Sequence, residues 1–343
     1  MKKLFLLFLI IASSWKSFCQ DYKWQNVAID LKSSFRALSV VDDKVAWVGG
    51  SKGSIGRSRD GGKTWSMKQV KGFEELDFRS VYAMDSLTAI IANAGSPAHI
   101  FRTTDGGKNW QSVYQNDNKD AFIDGLDFWN DKKGMAYGDP ISGKLLLIST
   151  QDAGLTWREL PDNQRPILKE GEASFAASGT GIRCLAGKKL IITTGGIVSR
   201  LWASNDEGET WNALDLPVMQ GIESAGAFST LFWKSKTGVV VGGDYKNDAQ
   251  TGKHVYITMD RGKTWTLPIK PTRGLRECVE FLGDENLIAI GPQGADWSND
   301  GGMNWNPLSD EKGFHVVRKA REGSLIIAVG NGKISVISKN KSR

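Results

Sequence analysis

Four carboxylates, Asp124, Asp139, Glu172 and Asp244, and three arginines, Arg36, Arg79 and Arg276, occupy comparable points of a repeating sequence, with Tyr245 and His315 beside them. Two carboxylates roughly 5–9.5 Å apart across a glycosidic bond would serve as acid and base, or as acid and nucleophile, of a glycoside hydrolase. Guanidinium forks grip carboxylate or phosphate oxygens bidentately, so the arginines are read as clamps for an anionic or carbohydrate-like ligand. Tyr245 joins them as a ligand-binding residue, and a lone His315 reads as a hydrogen-bonding wall residue. The alternative without a ligand is a self-neutralising ring of charge along a wet channel.

A second chemistry is suggested by SRDGGKTW, Ser58 to Trp65, because Gly-Gly-Lys-Thr is how a phosphate loop ends. Such a loop needs a further glycine five residues before the one that precedes the lysine, and Arg57 stands there. The octet also recurs, as TTDGGKNW, TQDAGLTW, SNDEGETW, TMDRGKTW and SNDGGMNW, ending at Trp110, Trp157, Trp211, Trp265 and Trp305. A motif repeated along the whole chain is architecture first.

The box aspartates, Asp60, Asp105, Asp152, Asp206, Asp260 and Asp300, follow one another at 40 to 54 residues, the length of a four-stranded propeller blade. Between boxes lie short β-rich runs bounded by turn residues, such as RALSVV, KVAWVGG and GSIGRS. The box is then the hairpin between third and fourth strands. Its aspartate accepts turn amides, its glycine takes positive φ, and its tryptophan opens the fourth strand.

The stretch YKWQNVAI around Trp24 resembles the strand after a box but has no box before it, and GFHVVRKAREGSLIIAVGNGKISVI offers three strands with no box after it. Joining them gives an all-β fold: a seven-bladed propeller whose N-terminal strand completes the C-terminal blade and leaves no free edge. The boxes are Asp-box (BNR) repeats, and the chain resembles the photosystem II stability/assembly factor-like family, and more distantly sialidase, xyloglucanase and sortilin-type propellers. The resemblance implies the fold and leaves function to whatever is grafted on one face. A sialidase would use an arginine triad with a tyrosine nucleophile, but its opening Phe-Arg-Ile-Pro element is missing; NQRPIL has Arg165 and Pro166 in a loop of the fourth blade.

In each blade the loop entering the first strand and the loop joining strands two and three share a face, opposite the boxes. Aligning first strands puts Arg36, Arg79, Asp124, then Glu172 or Ser174, Ser229, Arg276 and His315 around that channel mouth, each outside the fourth blade preceded by an apolar residue. The loops after second strands add Asp139, Asp244, Tyr245 and Asp296.

Residues 1–19 read as a signal peptide: Lys2 and Lys3, the apolar run Leu4–Ala12, then Ser17 and Cys19 before a cut at Gln20. Lys16 and Phe18 disfavour a lipid anchor on Cys19. One domain, 20–343, is expected in the periplasm or secreted, with no transmembrane anchor.

Removing Lys2, Lys3 and Lys16 lowers the formal charge of +6 to +3, too little and too dispersed for a nucleic-acid partner. Cys184 and Cys278 make no disulfide framework and read as buried small hydrophobes. His99, His254 and His315 are far apart, so no metal is expected; with no dinucleotide fingerprint, neither is a cofactor. The preferred reading is a monomeric binding or assembly scaffold for a protein, peptide or glycan. The alternative is a carbohydrate-active hydrolase using Glu172, Asp244, Asp124 or Asp139.

Overall fold

In the computed structural model, which describes residues 22–339, seven antiparallel sheets form a ring with no α-helix. The first blade takes the strands Phe35–Val40, Ala46–Gly50, Ser54–Ser58 and Ser66–Gln69, and the following blades repeat this meander. The seventh pairs Phe314–Lys319, Ile326–Gly330 and Lys333–Lys339, and the strand Tyr22–Val27 adds to its outer edge in register from Tyr22 opposite Lys339 to Val27 opposite Ile334. The seven-bladed, end-closed ring expected from the repeats is the observed fold. The proposed leader lies outside the described residues.

Every box makes the same hydrogen bonds. In the first, Asp60 accepts Ser58 Oγ at 2.9 Å, Thr64 N at 3.0 Å and Thr64 Oγ1 at 2.6 Å, while Gly62 N donates to Ser58 Oγ at 2.9 Å. These bonds to its charged form, led by the Thr64 hydroxyl, hold the Asp60 carboxyl down at about 2. The glycine has a second duty that turn chemistry alone does not reveal. Gly107 sits at φ 76°, and a Cβ there would lie 3.1 Å from Ile55 Cδ1 and 3.2 Å from Trp47 Cζ3 of the preceding blade. The box tryptophans pack likewise: Trp110 meets Trp47 edge-on with ring centroids 6.2 Å apart. The core is therefore a series of inter-blade layers, each including a box tryptophan.

Two blades depart from the pattern. The fifth replaces a full outer strand with an isolated bridge between Ile257 and Thr266. Between blades three and four, the two-residue strand Glu172–Ala173 pairs with Gly195–Gly196, which continues onto the fifth blade; the fourth blade's own inner strand is Ile182–Leu185.

Candidate functional site

Five of the inner strands carry a β-bulge near their start, the register slipping around Arg36, Arg79, Asp124, Phe228 and His315. A bulge inserts one residue and re-aims its side chain, which makes these the ring positions. In the sixth blade, Gly291 lies against the backbone of Leu275 and Arg276 just as Gly330 lies against Gly313 and Phe314. Arg276 is thus the counterpart of Phe314, and Glu277 that of His315.

In blades five and six the ring position falls one residue away from the one the repeat predicts. Phe228 takes the place expected of Ser229, and Glu277 that of Arg276. Neither Glu172 nor Ser174 begins the fourth inner strand.

Arg36, Glu277 and His315 come together. Arg36 Nη1 lies 3.4 Å from the Glu277 carboxylate, and His315 Nδ1 is 2.6 Å from Glu277 Oε2, with Nε2 3.1 Å from Asn331 Oδ1. Burial would raise the Glu277 carboxyl, but Arg36 and His315 outweigh it and hold it below its ordinary value. Arg36 also donates to Ala177 O at 3.1 Å. Arg79 donates Nε to Asp77 at 2.8 Å and Nη1 to Ala176 O at 3.3 Å.

Those carbonyls belong to a segment, 175–180, that lies across the mouth. Phe175 stacks on Phe228 at 4.2 Å, Ser178 Oγ donates to Glu277 O at 2.8 Å, and Thr180 Oγ1 donates to Ser229 Oγ at 2.8 Å. Blades one, two, five and six all hold this segment. No periodic signal in the sequence marks it; only the length of the loop before the fourth blade hinted at something there.

The remaining candidates separate. Glu172 is saturated: Arg200 donates Nε at 2.9 Å, Thr194 Oγ1 at 2.6 Å, Trp202 Nε1 at 3.0 Å and Lys169 N at 3.0 Å. Burial opposes its charge, yet the Arg200 bond and its companions keep its carboxyl below the usual range. Arg276, expected as a clamp, is wholly buried, its Nε donating to Asp296 at 2.9 Å and its Nη1 to Leu275 O at 2.8 Å. Arg273 Nε reaches the same aspartate at 2.8 Å.

Asp124 is buried, and burial, reinforced by Asp139, pushes its carboxyl well up. Burial also raises Asp139, which accepts Ser174 N at 3.0 Å. Asp244 caps its own loop through Lys246 N at 2.9 Å, and half-exposed Tyr245 packs edge-on against Phe175 with centroids 6.1 Å apart.

The other end of the channel opens as a cavity of about 250 Å³. Ser39, Tyr82, Asp127, Glu280 and Arg318 line it, each three residues after a ring position, and Arg183 of the fourth blade joins them. Because the bulge adds a residue, a count of two along the strand misses this inner layer.

Arg183 Nη1 and Nη2 both lie 3.2 Å from Glu280 Oε2, and Arg318 Nη1 lies 3.5 Å from the same oxygen. Arg321 stacks over Tyr82 at 4.4 Å and donates to Ser39 Oγ at 3.1 Å. Burial, aggravated by Arg318, lowers the Arg183 guanidinium, and burial raises the Asp127 carboxyl. No group of three or more metal-ligating side chains occurs among the described residues.

Residues 16–119 match the family model described as photosynthesis system II assembly factor YCF48. No curated protein matches the chain. Among solved structures, YCF48 bound to D1 peptide is similar at 13% identity over 93% of this chain and 95% of that one, with a TM-score of 0.68. YCF48 from Cyanidioschyzon merolae is similar at 15% identity over 91% and 98%, with a TM-score of 0.64. The GH74 enzyme of Niastella koreensis is similar at 13% identity over 91% of this chain and 53% of that one, with a TM-score of 0.58. The chain is a seven-bladed Asp-box propeller resembling the photosystem II assembly factor family.

Proposed function

We propose that this propeller is a binding scaffold that holds an extended peptide or protein segment on the face opposite its boxes. The observation that carries the reading is that Arg36 and Arg79 already grip main-chain carbonyls, those of Ala177 and Ala176. Ring arginines that read peptide backbone suit a partner presenting more of it, and half-exposed Tyr245, packed on Phe175 of the same segment, supplies an apolar contact. YCF48, one of the similar propellers, has been solved bound to D1 peptide, which supports a peptide or protein rather than a glycan as the ligand.

Support for holding over hydrolysis comes from Glu172, whose carboxylate is committed to Arg200, Thr194 and Trp202. We further propose that the scaffold works as one domain, 20–343, after export and removal of residues 1–19.

The test is an array of immobilised peptides probed with the purified protein and with the Arg36→Ala, Arg79→Ala and Tyr245→Ala variants, alongside a chromogenic glycoside screen with an Asp244→Asn control. Peptides retained by the native chain and lost by the variants support the scaffold. Glycoside turnover abolished by Asp244→Asn, with no peptide retained, overturns it. The mass of the exported protein checks the cut before Gln20.

A further inference from the structure

The box-face cavity carries more positive charge than its carboxylates answer. Arg183, Arg318, Lys319 and Arg321 line it against Asp127 and Glu280 alone. Glu280 is shared by two of the arginines. Asp127 spends its oxygens on backbone amides, Oδ2 accepting Cys184 N at 2.8 Å and Oδ1 accepting Phe128 N at 2.9 Å. Arg321 is committed to Ser39 and the Tyr82 ring. Arg183 Nε is buried without a hydrogen-bond partner among the described residues.

A buried donor with no acceptor is unfavourable, the more so when charged, so the site gains by admitting an acceptor. The arginine side chains stay reachable, at 13% exposure for Arg183 and 18% for Arg318. Leu38, Val40, Val81 and Leu126 form apolar walls, which strengthen any charge pairing made between them.

We propose that this cavity binds a small oxyanion of two negative charges, a phosphate or a dicarboxylate, held by Arg183, Arg318 and Lys319. Its 250 Å³ has room for a compact, metabolite-sized anion. Forked guanidiniums from blades four and seven approach such an anion from two sides. Lys319 also feels the charge of Asp43, a carboxylate held by the amides of Ser324 and Leu325 outside this cavity.

The site lies at the other end of the channel from the peptide mouth and stands independently of it. Titration calorimetry of the full chain at constant ionic strength, with inorganic phosphate and separately with succinate, tests it, with chloride as the control. Saturable binding of one or both is expected, and the stronger of the two identifies the class. Arg183→Gln should weaken it about tenfold or more, as loss of a charged hydrogen bond implies. If Arg183→Gln disturbs folding, Lys319→Gln at the rim decides. No saturation with either anion up to about 10 mM, or undiminished binding in a folded Lys319→Gln variant, overturns the proposal.

Discussion

Arg36 Nη1 donates to the carbonyl oxygen of Ala177 at 3.1 Å, joining the inner strand of the first blade to a segment that enters the channel from the fourth. The mouth is thereby a closed assembly of the chain's own parts, and its arginines act on main chain.

Removing both grips should loosen that segment without opening the ring. In Arg36→Ala/Arg79→Ala, amides of residues 176–180 are expected to exchange with solvent at least tenfold faster, since a charged hydrogen bond is worth about 1.5–3 kcal/mol and these are partly solvated. Hydrogen exchange read by mass spectrometry checks this; unchanged protection would show that Ser178, Thr180 and Phe175 suffice.

Glu172→Gln should behave as a folding lesion. It leaves Arg200, which is stacked on Trp202 at 4.3 Å, as an unanswered buried charge, and breaking a buried pair costs about 3–5 kcal/mol. A urea titration should show a lower midpoint. A midpoint equal to the native one would contradict the structural role assigned here.

Asp124→Asn should do the opposite at neutral pH. The folded chain raises this carboxyl, so keeping it charged costs stability above its folded value, and the cost vanishes once pH falls below the ordinary carboxylate value. Asparagine should therefore stabilise by about 1–3 kcal/mol at pH 7, with the gain fading toward pH 4. Melting temperatures of both proteins across that range measure it.

The box aspartates set the acid limit. Asp60, Asp206 and Asp260 are all held at about 2, chiefly by the hydroxyls of Thr64, Thr210 and Thr264. Their folded values lie below their unfolded ones, so their stabilisation is complete above about pH 4 and is lost as pH falls toward 2. Unfolding midpoints at pH 5, 3.5 and 2.5 should drop progressively. Replacing the three threonines with valine should flatten that slope.

Gly107→Ala tests the inter-blade joint. The alanine must take φ 76° and push its Cβ toward Ile55 and Trp47, for a loss of at least about 1 kcal/mol. Equal thermal stability would mean that the joint yields.

Blade number and closure were readable because boxes recur and the strand around Trp24 lacks one. A hairpin needs local residues, and local residues repeat. The mouth is less legible in the sequence, for a reason visible at Arg276 and Glu277. A bulge consumes one residue, and the apolar-then-polar rule that places Arg36 after Phe35 also accepts Arg276 after Leu275, although Glu277 takes the ring position. Phe228 broke the rule outright, because that ring position stacks on Phe175 and is aromatic. The crossing segment 175–180 has no strand period, and its contacts come from four other blades. The cavity lined by Arg183 and Arg318 was hidden by the same inserted residue, which shifts the inner layer from a count of two to a count of three.

The pairing of Tyr22 with Lys339 also orients the molecule. The strand that finishes at Lys339 runs toward the box face, and the strand that starts at Tyr22 departs from beside it. The described chain therefore begins and ends on one rim, that of the boxes. A tether at either end would hold the boxes inward and present Tyr245 and the closed mouth to the surroundings, as a cup is held by its foot.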